Sequence, residues 1–239
     1  MQIEKFEILA YSEAGFKPRQ EKLAVEAHLD ISVNGNRKYH ALRTPGMDAE
    51  LTVGWCYCQG MIESGEEVRE ILTTGEGIIN LVTEKKTEFP AGEDLPPIDP
   101  SGGIRFAPAF LFDLQKDFFT HQQIFSQTGA THAAGLYDVN GSLLIFAEDV
   151  GRHNALDKCV GHLLLKNRLR EAAFCLLSSR LSLEMANKAY RARIPVLAGV
   201  SAPTSLAVQL AKKQGMTLVG FLRPPRFNLY AGEWRLIKE

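Results

Sequence analysis

The sequence predicts an α/β fold in which a smaller, β-rich N-terminal part precedes a layered sheet with helices on its faces. Residues 25–33 alternate apolar and polar side chains with the period of a half-buried strand. Residues 85–103 hold four of the eleven prolines and little apolar content, which is typical of a linker or a long loop. After residue 132, strand-like and helix-like segments alternate, which indicates a sheet that is parallel in its later part.

The N-terminal part is expected to contain short strands and one helix. Asn34 and Gly35 predict a tight turn between two strands. Asp48 is expected to cap a helix, since Leu51 and Trp55 then share one face at a spacing of four. The strands predicted for this part lie at 25–33, at 37–42 and on either side of 75–77.

The second part is expected to begin with a helix that starts at Asp113 and stops near Gly129. A hairpin with its turn at Asn140 and Gly141 follows. The face of the first helix carries Leu114, Phe118, His121 and Phe125. Strands are predicted at 133–138, 142–148, 172–177, 196–200 and 217–222, and further helices at about 154–166, 182–192 and 203–213.

The proline-rich loop is the natural domain boundary, so we predict a β-rich domain of residues 1–110 and an α/β domain of residues 111–239. The first carries 11 basic and 18 acidic residues, a net charge of −7, and the second 16 and 10, a net charge of +6. The second domain is basic but has no runs of consecutive Lys or Arg residues. This pattern favours binding of a discrete anionic ligand over binding along a nucleic acid. The alternative is an ordinary solvent-exposed surface on which positive and negative charges are unevenly distributed.

Composition excludes several classes of protein. The chain has 239 residues, of which 45% are hydrophobic and 23% charged, as in ordinary globular proteins. Four cysteines, at 56, 58, 159 and 175, are too few for a disulfide scaffold. Neither a secretory signal nor a membrane span is visible. We therefore expect a cytoplasmic protein without a membrane or nucleic-acid partner.

Four predicted strand ends carry small hydroxyl, His, Asn or Arg side chains. Ligands of open α/β sheets bind outside the carboxyl ends of the strands. Helix N-termini and arginines at such ends favour phosphate groups. Each segment alone is most often an ordinary polar turn, but their coincidence favours a phosphate-bearing ligand. The segments are 149–154, 178–182, 201–205 and 223–226.

His132 lies within a run of small residues, 128–134, where it either contacts a ligand or is a satisfied buried histidine. Zinc deaminases carry His-x-Glu and a later Pro-Cys-x-x-Cys. Here Ala134 stands where the catalytic Glu would be, and the sequence has no Cys-x-x-Cys, so we reject deamination as a chemistry. Cys159 and His162 share a helix face, but two ligands do not make a zinc site. No metal site is predicted.

Several segments together resemble the FdhD/NarQ family of formate dehydrogenase accessory proteins. The most specific is the run from Glu148 to Lys158, which reads Glu-Asp-Val-Gly-Arg-His-Asn-Ala-Leu-Asp-Lys. The resemblance extends over nearly the whole chain. The other segments that carry it are 34–35, 54–62, 128–132, 178–182, 201–204 and 221–226.

The resemblance implies a three-layer α/β/α cytidine-deaminase-like domain, a smaller β-rich N-terminal α+β domain, and a homodimer. It implies binding of the molybdenum bis(molybdopterin guanine dinucleotide) cofactor, with GDP as a surrogate, and transfer of sulfur from a cysteine desulfurase towards formate dehydrogenase. The family's cofactor-binding stretch falls on Phe221, Leu222, Arg223, Pro224, Pro225 and Arg226. The other residues expected at the ligand are Thr131, His132, Arg152, His153, Asn154, Ser179, Arg180, Ser201 and Thr204.

The chain departs from the family at the sulfur-carrying cysteine. The family usually has Thr-Gly-Cys-Gly-x-Cys-Gly between its two parts, and the first cysteine holds the persulfide. Residues 96–105 contain no cysteine here, and Ala130 stands where another is often found. Two functions therefore remain: a sulfurtransferase that uses Cys56 or Cys58, or a non-catalytic protein that holds, protects or delivers the cofactor. No catalytic residue is assigned.

Overall fold

A computed structural model of the protein describes residues 1–84, 95–99 and 103–237. These residues form three β-sheets and six α-helices, which confirms the mixed α/β prediction. None of the described helices has the length and apolar character that a membrane span requires. The strands are β1 (Ile3–Ser12), β2 (Gly15–Ala24), β3 (Ala27–Val33), β4 (Asn36–Arg43), β5 (Val68–Gly75), β6 (Ile78–Thr83), β7 (His132–Tyr137), β8 (Leu143–Asp149), β9 (Phe174–Leu177), β10 (Val196–Gly199), β11 (Thr217–Arg223) and β12 (Arg226–Ala231). The helices are α1 (Asp48–Cys58), α2 (Pro108–Thr120), α3 (Gln123–Thr128), α4 (Arg152–Leu165), α5 (Leu183–Arg191) and α6 (Ser205–Lys213).

The largest sheet has six strands in the order β12-β11-β10-β9-β7-β8. Strands β9, β10 and β11 are parallel, whereas β7 is antiparallel to both of its neighbours. Strand β8 therefore points the same way as the three parallel strands. As the sequence predicted, the carboxyl ends of β8, β9, β10 and β11 meet at one side of the sheet, which we call the strand-end edge.

Helices cover both faces of this sheet because successive strand residues face opposite sides. Leu136 and Cys175 belong to the larger apolar core, which also contains residues of α1, α4, α5 and α6. Tyr137 and Phe174 belong to a second core, in which Phe118 of α2 packs. Both faces of the sheet are therefore buried.

The N-terminal part contains a four-stranded sheet in the order β4-β3-β6-β5. Its predicted turn is present, since Asn34 and Gly35 both have left-handed φ angles, of 50° and 76°, as a tight hairpin turn requires. Helix α1 contacts β6 on one side and α4 on another. Every residue from Leu51 to Cys58 is buried, so this part of α1 is enclosed by protein all round.

Two glycines allow α1 and α4 to approach backbone to backbone. A Cβ atom added at Gly54 would lie 1.9 Å from the carbonyl oxygen of Asp157, and one at Gly161 would lie 1.9 Å from that of Glu50. Such distances are far inside van der Waals contact. The crossing that joins the two parts of the chain therefore requires glycine at both positions.

Two predictions from the sequence differ from the structure. The helix expected from Asp113 is two helices, α2 and α3, because the chain turns at His121 and Gln122; as a result Phe125 is exposed rather than on the buried face. Asp48 does not cap α1, since Met47 holds the cap position and Asp48 instead forms two hydrogen bonds with the Arg43 guanidinium, of 2.9 and 2.7 Å.

Three strands were not predicted from the sequence: β1 and β2, which among the described strands pair only with each other, and β12, which pairs with β11. Of the proline-rich loop at 85–103, residues 95–99 and 103 are neither helix nor strand, and the rest lies outside the described residues. The boundary between residues 110 and 111 falls inside α2. The division into two domains stays a prediction.

The close crossing of α1 and α4 gives the first testable prediction. We expect Gly161→Ala to lower the free energy of unfolding by at least about 2 kcal/mol, because the added methyl group overlaps a backbone carbonyl. Alanine otherwise favours helix by about 1 kcal/mol over glycine. The exposed Asn187→Ala in α5 is the control, expected to stay within about 0.5 kcal/mol of wild type. Urea denaturation measures both, and a Gly161→Ala protein as stable as wild type would contradict the close approach.

Candidate functional site

The loops of the strand-end edge are linked to one another by backbone hydrogen bonds. The N–H of Phe221 donates to the carbonyl of Ser201 at 3.1 Å, and that of Thr204 donates to Leu181 at 3.0 Å. Further along, the N–H of Ser178 donates to the carbonyl of Ala133 at 3.1 Å. The edge is therefore a continuous surface, along which the predicted segments lie side by side in the order of the strands.

Three exposed arginines lie along this edge: Arg180, Arg223 and Arg226. None of them makes an ion pair or a side-chain hydrogen bond with another residue in the described part of the chain. Their guanidinium groups keep a forked set of donors that matches the oxygens of phosphate. The edge thus offers positive charge that internal carboxylates do not neutralise.

Unpaired polar atoms are concentrated at the same edge. Arg152 Nε, His153 Nε2 and Ser182 Oγ are buried and have no hydrogen-bond partner among the residues that the structure describes. Arg152 and His153 begin α4, and Ser182 precedes α5. The His153 nitrogen lies 3.0 Å from a Glu184 oxygen, but the two atoms are too poorly aligned for a hydrogen bond. Because such groups are costly when unpaired, their clustering favours a polar ligand.

The surroundings of the two histidines of the edge lower the pKa of both and so favour the neutral form. Burial lowers the pKa of His132 below its usual 6.5, and the positive charge of Arg152 lowers it further. Burial likewise lowers the pKa of His153, with Arg152 and Lys188 acting in the same direction and Glu184 opposing them. A neutral imidazole has one donor and one acceptor, so both can exchange hydrogen bonds with a ligand without adding charge.

Four residues predicted to contact a ligand make contacts within the protein that hold the edge together. Leu222 is in the second apolar core, and the Thr131 hydroxyl donates to Glu148 at 2.8 Å. The Ser179 hydroxyl donates to the backbone of Arg180 at 3.1 Å. The Asn154 amide donates to Leu42 and Asp149 at 2.8 and 2.9 Å. All four are buried, and their contact with a ligand stays a prediction.

The remaining predicted residues lie at the surface or partly below it. Thr204 is exposed, but its hydroxyl accepts a hydrogen bond from the N–H of Ala207 and caps α6, so its first role is structural. The exposed residues are Phe221, Arg223, Pro224, Pro225, Arg226, Arg180 and Thr204, and the partly buried residues are His132, Arg152, His153 and Ser201.

The buried carboxylate of Asp149 positions this edge. It accepts hydrogen bonds from the backbone N–H of Thr44 at 3.1 Å and of Gly151 at 2.8 Å. It also pairs with the Lys158 ammonium at 2.7 Å, and both side chains are at most 1% exposed. Lys158 donates in turn to the Thr44 carbonyl at 2.8 Å. The first turn of α4, which carries Arg152 and His153, is thereby fixed to the loop after β4.

Phe221 combines exposure with an unfavourable backbone conformation. Its φ is 52°, in the left-handed region that non-glycine residues avoid, and its side chain is 42% exposed. Strained residues concentrate at functional sites. Because the ring is held beside Arg223 and Arg226 around a cavity of about 210 Å³, it is placed to stack on a flat ligand group next to the two cations.

A second cavity, of about 360 Å³, lies on the edge around His132. Most of its walls could not be predicted from the sequence, since they come from α2, α3 and the ends of β9 and β10. The break between α2 and α3 creates them, and only the small residues before His132 signalled the place. The lining includes Phe119, Gln122, Phe125, Ser178 and Val200.

Comparisons with known proteins agree with this architecture. The FdhD/NarQ family model matches residues 24–95 and 82–237. The chain belongs to the FdhD/NarQ family. It is 36% identical to a sulfur carrier protein FdhD from Nocardia farcinica, over 96% of this chain and 93% of the relative. A relative of the same description from Sulfolobus acidocaldarius is 35% identical over 99% of both chains.

A crystal structure supports the same membership. It is of a protein described as a formate dehydrogenase accessory protein, from Desulfotalea psychrophila. The two structures superpose with a TM-score of 0.89 and 29% sequence identity, over 99% of this chain and 100% of that one. The resemblance read from the sequence segments is therefore confirmed.

The four cysteines of this FdhD/NarQ chain are all buried and reduced. Burial, together with the smaller effect of the Asp157 charge, raises the pKa of Cys56 to about 12. Burial also raises the pKa of Cys58, Cys159 and Cys175 well above the usual value. Thiolate is the nucleophilic form of cysteine, so none of these thiols is suited to accept sulfur. Among the described residues, no cluster of His, Cys, Asp and Glu could hold a metal ion.

The conformation of Phe221 gives the second prediction. Phe221→Gly and Phe221→Ala both remove the ring, but only glycine adopts a positive φ without strain. We expect the glycine variant to be more stable by about 1 kcal/mol. The control is Phe119, which has similar exposure but lies in α2; there the alanine variant should be the more stable by a similar amount. Denaturant unfolding gives both differences, and the same order at both positions would contradict strain at Phe221.

Proposed function

We propose that this protein is a formate dehydrogenase accessory protein that binds the molybdenum bis(molybdopterin guanine dinucleotide) cofactor at the strand-end edge. The observation that carries the proposal is the meeting of Arg180, Arg223 and Arg226 with the exposed ring of Phe221 along one edge. A guanine dinucleotide presents pyrophosphate groups, which suit the arginines, and flat guanine rings, which suit an aromatic side chain.

The residues present fit such a ligand. Arg152, His153 and Ser182 each have a buried polar atom without a partner in the described part of the chain, and each can donate a hydrogen bond to a phosphate or ribose oxygen. The N-termini of α4, α5 and α6 all open on this edge, and their dipoles favour negative charge. When bound, the cofactor would supply the molybdenum chemistry; the chain itself binds and orients it.

Membership of the FdhD/NarQ family supports a proposal about the proteins with which this chain interacts. Relatives are described as sulfur carriers and the solved neighbour as a formate dehydrogenase accessory protein. We therefore propose formate dehydrogenase as the recipient and a cysteine desulfurase as the family's sulfur donor. The cytidine-deaminase-like α/β/α layering, the homodimer and the cytoplasmic location remain expectations from the sequence.

Sulfur transfer through a thiol of this chain is the second candidate, and family membership is what favours it. The sequence offers four thiols, and at pH 8 a thiol of the pKa of Cys56, about 12, is ionised in roughly one molecule in ten thousand. Cys58 lies against Asp157, whose charge disfavours thiolate. Binding and delivery of the cofactor without a persulfide is therefore the function that we favour.

The binding proposal is tested with GDP as the probe. The Arg223→Ala/Arg226→Ala variant should bind GDP at least tenfold more weakly than wild type, since each lost charged hydrogen bond contributes about 1.5–3 kcal/mol. Arg168→Ala/Arg170→Ala, which removes the same charge near the C-terminus of α4, should bind as wild type does. Calorimetry measures the affinities. Equal GDP affinity in all three proteins would remove Arg223 and Arg226 from the site.

The thiol proposal is tested by mass spectrometry of the intact protein after incubation with a cysteine desulfurase and cysteine. We expect no stable persulfide, because every thiol is buried and protonated. We expect the Cys56→Ser/Cys58→Ser variant to bind GDP with wild-type affinity. The desulfurase, which carries its own persulfide, is the positive control. A one-sulfur adduct on Cys56 or Cys58 that disappears on reduction would instead establish a sulfurtransferase.

A further inference from the structure

His153 lies at the strand-end edge with its ring just below the surface. It is the second residue of α4, and its side chain is 32% exposed. The Nε2 atom is buried and lacks a hydrogen-bond partner among the described residues. The ring can therefore exchange a proton with solvent and can also contact a ligand that binds at this edge.

Helix α4 brings positive charge to this ring. Arg152 precedes His153 and lowers its pKa, in addition to the larger effect of burial. The N–H groups of the first turn of α4 also give this end of the helix a partial positive charge. Arg152 forms no ion pair with a carboxylate of the described residues, so its charge stays uncompensated. A proton on His153 would place a second cation directly beside it.

Helix α5 brings one cation and one carboxylate towards the same ring. Lys188 lowers the pKa of His153, whereas Glu184 and, more weakly, Asp157 of α4 raise it. Both oxygens of Asp157 lie 2.6 Å from the Lys188 ammonium, so these two charges largely cancel. The Glu184 carboxylate lies 3.0 Å from Nε2 but is 69% exposed, and water screens its charge. Without a ligand, the balance of charge at His153 therefore favours the neutral ring.

An anion bound at this end of α4 reverses that balance. A pyrophosphate diester carries two negative charges, and a negative charge within hydrogen-bond distance of an imidazole favours its protonated form. We propose that His153 takes up a proton when a diphosphate ligand binds at the strand-end edge. This inference rests on the proposed function, since it requires that the ligand occupies this edge.

The proton balance of the step involves only the imidazole and solvent. The ring nitrogen that lacks a proton accepts one from water or buffer, and both ring nitrogens then carry an N–H group. Nε2 donates to a ligand oxygen, and no bond of the ligand changes. When the ligand leaves, the proton returns to solvent.

Proton uptake makes affinity depend on pH. In the free protein the pKa of His153 lies below its usual 6.5, and the bound anion raises it. Affinity for the ligand should therefore increase as the pH falls through the range between these two pKa values. Mild acid then favours retention of the ligand, and mild alkali favours its release.

Calorimetry with GDP-mannose tests the proposal on the intact chain. The pyrophosphate of this probe is a diester, so that, unlike GDP, it neither gains nor loses a proton near neutral pH. Titrations in two buffers with different ionisation enthalpies give the number of protons taken up. Near pH 6.5 we expect uptake of roughly half a proton per site, and affinity at pH 6 at least about threefold tighter than at pH 8.

Two variants of histidines in α4 form a matched pair. His153→Gln should bind the probe without proton uptake, and its affinity should change less than about twofold between pH 6 and pH 8. His162→Gln is the control, because its ring faces Glu50 of α1 at 3.5 Å; it should take up protons as wild type does. His132→Gln, which removes the other histidine of the edge, should retain the uptake even where it weakens binding. Circular dichroism checks that all three variants are folded.

The outcomes separate this inference from the binding proposal. Wild type that binds GDP-mannose without proton uptake would overturn the inference and leave the binding proposal intact. Undiminished uptake in His153→Gln, or loss of uptake in His132→Gln, would overturn it as well, because the proton would then belong to another group. Wild type that binds neither GDP nor GDP-mannose would reject the binding proposal and the proton uptake together.

Discussion

The buried carboxylate of Asp149 is the group on which the strand-end edge depends. It terminates β8, binds the first turn of α4 and holds the backbone of Thr44, while Lys158 neutralises it from within the same helix. A buried charge that loses its partner destabilises a protein strongly. Substitution of Asp149 or of Lys158 alone would therefore leave a buried charge without its partner. The intact pair fixes the loop after β4, helix α4 and strand β8 relative to one another.

The buried pair of Asp149 and Lys158 explains why the segment that most specifically carries the family resemblance has two roles. In the run from Glu148 to Lys158, the residues Asp149, Asn154 and Lys158 are buried in the network, whereas Arg152 and His153 bring unpaired polar atoms to the edge. The positions of the strand ends followed from hydrophobic periodicity, so the meeting of these segments at one edge of the sheet could be predicted. Which side chains turn inward depends on tertiary contacts of Thr44 and Leu42, more than a hundred residues away, and could not.

The elements that sequence patterns missed share a physical cause. In β1, charged and apolar residues occur on both faces, since neither face is buried in the described chain, and the period-two signal of a half-buried strand is therefore weak. The chain reverses at His121 and Gln122 without a glycine or proline, so nothing in the local pattern marked the end of α2. The walls of the cavity beside His132 depend on that reversal. By contrast, the turn at Asn34 and Gly35 needs left-handed backbone at both residues. Asn followed by Gly is the residue pair that favours this conformation, so the turn could be predicted from the sequence.

The enclosure of α1 has a consequence for how the molecule comes apart. Its buried stretch, from Leu51 to Cys58, belongs to the same apolar core as strand residues of both sheets. Separating the N-terminal part would expose this stretch and the face of α4 that covers it. Melting should therefore be one cooperative transition that includes both parts of the chain, and a truncated chain beginning after the proline-rich loop should aggregate rather than fold.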